Sequence, residues 1–141
     1  MPIKERGNSM KKLLAIIVLA FTFLLASCNA SFSSGEAKSN LEGQGYTVEV
    51  MDTTEAKARV QGVNYNVTPQ NAIFAAKGND KVLIFFFSSI DEADKFVHEN
   101  IAVMVRFAEG FSENPKTGFH NNAAYTGSIA AAKAAGFPVS E

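Results

Sequence analysis

The sequence predicts an α+β fold, and three observations carry that expectation. The apolar runs AIFAAK (72–77) and VLIFFF (82–87) flank Gly78, Asn79 and Asp80, which is the pattern of an antiparallel hairpin. From Ser89 to Phe111 apolar residues recur every three or four positions, the period of an amphipathic helix. Segments of period two and segments rich in helix formers alternate through the remainder, separated by Gly- and Pro-containing breaks.

In chain order, YTVEVM (46–51) puts Tyr46, Val48 and Val50 on one face and Thr47 and Glu49 on the other, as a half-buried strand does. TTEAKARVQG (53–62) predicts a helix with Thr53 or Thr54 as N-cap and Gly62 as stop. The hairpin follows. Its second strand, Val82 to Phe87, is apolar without alternation, so it is expected at the middle of its sheet or covered on both faces.

The long helix opens with Ser89 and Glu92 at capping-box spacing. Ile90, Ala93, Val97, Ile101, Met104, Phe107 and Phe111 form its apolar stripe, and Gly110 with Asn114-Pro115 ends it. FHNNAAYT (119–126) predicts a small hairpin turning at Asn121-Asn122, residue types that tolerate positive φ. GSIAAAKAAGFP (127–138) predicts a closing helix with Ser128 as N-cap, Gly136 at the C-cap and Pro138 barring continuation. The order strand, helix, strand, strand, helix, strand is that of a ferredoxin-like βαββαβ sandwich, here with an additional C-terminal helix. A single domain over 41–141 is expected.

The N-terminal region is of another kind. Leu13 to Ala26 carry no charge and follow Met10, Lys11 and Lys12, a basic region before an apolar core as in a secretory signal. The run is shorter than the roughly 20 apolar residues that cross a bilayer, and no second basic flank follows it, so a permanent transmembrane helix is the weaker expectation. Met10 is the expected true start: MKKLLAIIVLAFTFLLASC forms a complete signal, and Lys4, Glu5, Arg6 and Gly7 are all encodable by purine-only codons.

Leu25, Ala26, Ser27 and Cys28 resemble the lipobox of bacterial lipoproteins, an aliphatic residue and two small ones before a Cys. The resemblance covers Met10 to Cys28. It implies that residues 1–27 are a signal peptide, that a diacylglycerol is attached to the Cys28 thiol, and that the mature chain begins at Cys28. It also implies a position on the outer face of the plasma membrane, or on the outer membrane of a diderm, since Asn29 is not the Asp that commonly retains a lipoprotein at the inner membrane. Residues 28–40, with NASFSSGEAKSN after the Cys, read as a flexible tether of on the order of 20 Å reach, within which a short helix has room to begin. The body, with its hairpin, acidic-faced helix and late YTGS step, loosely resembles small uncharacterised bacterial lipoproteins, a likeness that brings no activity with it.

Cleavage before Cys28 leaves 9 Lys and Arg against 13 Asp and Glu, a net charge near −4. That balance disfavours a nucleic-acid partner, which demands clustered Lys and Arg. The single Cys allows no internal disulfide.

No catalytic residue, metal site or cofactor is expected. His98 and His120 are the only histidines. Asp94 precedes His98 by one helical turn, but two ligands do not make a metal site. Asp91, Glu92, Asp94 and Glu99 fall on the polar side of the long helix, where a charge run serves solvation and Asp91 can pair with Lys95. No P-loop, nucleophile elbow or GxGxxG occurs. Asn66-Val67-Thr68 fits the N-glycosylation pattern, which carries no meaning in a bacterial lipoprotein.

Two function classes follow. The favoured one is a non-catalytic binding or interaction module anchored at a membrane, because IAVMVRFAEGF (101–111) holds more apolar residues than one core face needs, leaving a surplus for a protein partner or a second copy. The alternative is a small extracytoplasmic enzyme or enzyme accessory subunit, which requires polar groups converging in a pocket.

Overall fold

The computed structural model describes residues 32–110 and 114–139. Its elements are α1 (Ser34–Gly43), β1 (Thr47–Asp52), α2 (Thr53–Arg59), β2 (Asn71–Lys77), β3 (Asp80–Phe86), α3 (Ile90–Glu109), β4 (Lys116–His120), β5 (Ala123–Gly127) and α4 (Ile129–Ala135). The class is α+β, and β1-α2-β2-β3-α3-β4 runs in the ferredoxin-like order, followed by β5 and the additional C-terminal helix.

The five strands form one sheet in the order β1-β2-β3-β5-β4, with every neighbouring pair antiparallel. The chain makes one split β-α-β unit: β3 and β4 run parallel on either side of β5, and α3 is the crossover. The expected first crossover is absent, because α2 spans only seven residues and leads straight back, so that β1 and β2 lie side by side. The turn of the β2–β3 hairpin falls at Gly78-Asn79, where Gly78 takes φ 63°.

Helices cover both faces of the sheet. Phe85 and Phe87 of one face meet Phe96 of α3 at ring-centroid distances of 4.9 Å each, and Leu83, Met51, Ala56 and Met104 join the same cluster. On the other face Val82, Ile84 and Phe86 pack against Leu41 of α1, Ala131 and Ala135 of α4, and Phe32 just ahead of α1. β3 is thus central in the sheet and covered on both sides, as its unbroken apolar run requires.

That second layer corrects the domain boundary expected at residue 41. Phe32, Ala37 and Leu41 are buried, and Asn40 Nδ2 donates to the Ala135 carbonyl at 3.0 Å, which ties α1 to α4. Residues 32–40, assigned above to a tether, therefore belong to the fold. Composition misleads here because α1 has few large apolar residues, but they fall at 37 and 41, one turn apart on the inner face.

Two local details also differ from expectation. In β1 the inward alternation fails at its end: Val50 is 45% exposed, while Met51 is buried on the opposite face beneath α2. β1 is an edge strand with a layer above each face, so Met51 finds cover on the face opposite Val48, whereas Val50 stays largely in water. The N-cap of α2 is Asp52, not Thr53 or Thr54; its carboxylate accepts from Glu55 N–H and Glu55 accepts from Asp52 N–H, a full capping box. At α3, Ser89 caps as expected, yet Glu92 reaches one residue further back, to Ser88 N–H at 3.1 Å. Ser128 and the left-handed Gly136 bound α4 as anticipated.

Phe85→Ala should lower stability by about 3–5 kcal/mol, since a transfer and a cavity contribution are lost together; chemical denaturation measures it. At Gly127 an added Cβ would lie 2.3 Å from the Lys81 carbonyl oxygen and 2.6 Å from Val82 Cα. Gly127→Ala must push β5 from β3 and should cost about 1–3 kcal/mol by overpacking, visible as a lowered midpoint in the same denaturation experiment.

Candidate functional site

α3 carries most of the candidate chemistry on its outward side. His98 Nδ1 lies 2.9 Å from the Asp94 carbonyl oxygen and 2.7 Å from Asp94 Oδ1. The carbonyl contact first, then the Asp94 charge, raises the imidazole above its ordinary value of 6.5. The imidazole is largely exposed to solvent. Asp91 and Glu99 are exposed, and Glu92 is engaged at the helix start.

His120 ends β4 on the opposite side of the sheet, edge-on to Phe137 with ring centroids 6.4 Å apart. Tyr125 stacks on the same Phe137 at 4.2 Å, and burial pushes its phenol up. The sheet thus separates the two histidines, and among the described residues no three His, Cys, Asp or Glu side chains gather as a metal site.

Buried amides, absent from the candidates drawn from sequence, organise the loops around α3. Asn100 accepts from Asn64 N–H at 2.6 Å and donates to the carbonyls of Asn64 and Phe96 at 2.9 Å each, so it holds the α2–β2 connection against the helix. Its signal in the sequence was a polar residue inside the apolar stripe, between Val97 and Met104. Asn122, expected only as a turn residue, is buried: it accepts from Phe32 N–H, donates to the Phe87 carbonyl at 2.8 Å, and its own carbonyl takes the Phe87 N–H. Thr126 donates to the Met104 carbonyl at 3.0 Å and lies 2.7 Å from Thr117 Oγ1, linking α3 to the β4–β5 hairpin.

The apolar surplus of α3 divides in two. Met104 and Ala108 are buried, whereas Ile101 is 45% exposed, Ala102 is exposed, and Val103, Val105 and Phe107 are half-buried. On the other flank a shallow, open hollow is lined by Gln61, Val103, Arg106 and Phe107. Phe111, the last residue of the expected stripe, lies outside the described residues. So do Leu25, Ala26, Ser27 and Cys28, and with them the whole of the expected signal peptide. Among the described residues no helix is long and apolar enough to cross a membrane.

The raised His98 gives a pH prediction with a definite sign. A folded-state pKa above the unfolded one means that the charged ring favours the fold at acid pH, and that this contribution fades as pH rises through the folded value. An NMR titration should place the His98 midpoint above 6.5, and Asp94→Asn should lower it only part of the way, because the Asp94 carbonyl contact survives. Comparison with protein-family models, with curated proteins and with solved structures finds no match for this chain.

Proposed function

We propose that the protein is a membrane-anchored extracytoplasmic lipoprotein, lipidated on Cys28, whose α+β domain is a non-catalytic binding or interaction module. The observation that carries the anchor is the sequence Leu25-Ala26-Ser27-Cys28 at the end of an uncharged run that follows two lysines. The chemistry is consistent with it: small residues fit a protease groove in extended form, and the thiol is the best nucleophile the segment offers for a lipid. Two or three acyl chains, at about 0.8 kcal/mol per buried CH₂, hold a protein stably where one does not. The location follows as the outer face of the plasma membrane, or the outer membrane in a diderm.

What supports an interaction module is the outward flank of α3, where Ile101 and Val105 interrupt an otherwise charged surface. The separation of His98 from His120 by the sheet speaks against the enzyme alternative, since acid–base chemistry needs its groups within reach of one substrate.

Mass spectrometry of the membrane-extracted protein tests the anchor. The wild-type chain should begin at Cys28 and carry two or three acyl chains, and Cys28→Ser should incorporate no labelled fatty acid while retaining its N-terminal segment. A wild-type chain with an intact N-terminus and a free thiol would sink the lipoprotein reading. Size-exclusion of the unlipidated domain tests self-association; a strict monomer removes the second-copy version of the interaction.

A further inference from the structure

The chain enters the domain at a fixed point. Phe32 is buried, its N–H is held by Asn122 Oδ1, and its ring packs against Phe86 and Phe137 with centroids 6.0 and 5.3 Å away. Asn122 is itself locked to Phe87 through its side chain and its carbonyl. Phe32 therefore sits at one end of the sheet, beside the transverse row Asp52, Asn71, Phe86, Ala123 and His120.

Only Asn29, Ala30 and Ser31 separate Cys28 from Phe32. Four extended residue steps span at most about 14 Å. The opposite end of the sheet, at the Gly78-Asn79 turn, lies the length of β3 away, roughly 20 Å at ~3.3 Å per residue. An inverted domain, with that turn against the membrane, would lift Phe32 further from the bilayer than this segment reaches.

The near end also has the right surface. Ser33, Gly35, Ser88, Ser89 and Ile90 are exposed and uncharged, and Ile90 at 53% is the most exposed large apolar residue among those described. Asp52, Glu55 and Glu92 close by are turned onto helix starts as caps, leaving Glu36 and Asp91 at the rim. By contrast the outer side of α1 presents Glu36, Lys38 and Glu42, and Lys77, Lys81 and Lys116 lie toward the far end.

We propose, resting on the lipidation of Cys28, that this end of the sheet is the face the domain turns to the bilayer that anchors it. Ser88 and Ile90 then lie against the headgroup layer and the Gly78-Asn79 turn points away. Contact is imposed by the short anchor segment rather than by charge, because among the described residues no Lys or Arg belongs to the row or to the exposed set Ser33, Gly35, Ser88, Ser89 and Ile90. The surface fits a neutral, zwitterionic headgroup layer.

Site-directed fluorescence quenching tests this on the full lipidated protein in phosphatidylcholine vesicles containing a headgroup-nitroxide lipid. With Cys28 acylated, a single introduced Cys is the only thiol to label. Gly35→Cys is suitable because nothing lies within 4 Å of a Cβ there, and Ser88→Cys, Ser39→Cys and Asn79→Cys are exposed positions. Labels at 35 and 88 should lose fluorescence, the label at 39 should lose less, and the label at 79 none. Quenching at 35 and 39 without quenching at 88 would show a domain lying on its α1 side, and equal quenching at all four would show free tumbling; either overturns the orientation. Mass of the same preparations separates the two readings: acylated protein with an unquenched Ser88 label overturns the orientation alone, whereas protein without lipid overturns the anchor and the orientation with it.

Discussion

The structure turns on a strand that has no polar side. From Val82 to Phe86 every β3 side chain is buried, as is Phe87 just beyond the strand, so each face of the sheet has to be covered or several aromatic rings stand in water. One cover is strong: α3 runs 20 residues and sets Phe96 between Phe85 and Phe87. The other is assembled from modest parts. α4 buries four alanines, whose small side chains let its backbone come close to the sheet, and α1 adds Leu41 and Ala37. Neither helix is long enough to be stable alone in water. Their order derives from the apolar face they share with β3, and Phe32, wedged between Phe86 and Phe137, closes that layer at its end.

A sheet sealed on both faces leaves its loops as the places where backbone groups risk burial without partners. Buried amides answer this. Asn100 serves Asn64 with both an acceptor and a donor, substituting for the ladder the α2–β2 connection lacks, and Asn122 does the same for the start of the domain and the end of β3. Each neutral hydrogen bond adds only about 1 kcal/mol net, but leaving a buried partner unsatisfied costs about 1–3 kcal/mol. The amides therefore matter more for fixing one loop arrangement than for the sum of their bonds. The same logic makes the position of Phe32 definite, because three separate contacts would have to be lost for the chain to enter elsewhere.

Strong periodicity made some elements legible in the sequence and weak periodicity hid others. α3, the β2–β3 hairpin and the caps Ser128 and Gly136 were readable because each rests on local chemistry: a 3.6-residue stripe, a Gly-Asn turn, a hydroxyl acceptor, a residue free to adopt φ 114°. α1 was hidden in a Ser- and Asn-rich stretch because its fold signal is two residues, Ala37 and Leu41, whose burial exists only once β3 demands cover. Strand order was hidden for a related reason. Whether α2 crosses over or turns back depends on the edge at which β1 pairs, which no local pattern encodes. The candidate site was legible only in part: the discounted histidines could be weighed from spacing, but Asn122 looked like any turn asparagine until its neighbours at residues 32 and 87 were placed around it.

The sealed sheet also restricts where recognition can happen. Among the described residues both faces of the sheet are covered and a shallow hollow lies beside Arg106, so a partner meets the helix exteriors, the two edge strands and the sheet ends. The most exposed large apolar residues among those described, Val50, Ile90 and Ile101, sit on β1 and at two places along α3, too scattered to form one broad apolar patch. If Cys28 bears the lipid, the three residues before Phe32 leave the domain no freedom to seek a partner far from the membrane. Cleaved before Cys28, the chain would carry a net charge near −4 and would gain nothing from an anionic leaflet, which attracts Lys and Arg at about 1 kcal/mol each and repels carboxylates. Membrane residence then depends on the acyl chains alone: a single chain binds reversibly, so a second is needed to hold the domain in place. An anchor on Cys28 would set the height at which α3 and the β2–β3 hairpin are displayed, and the fold, by pinning Phe32, would convert that height into an orientation.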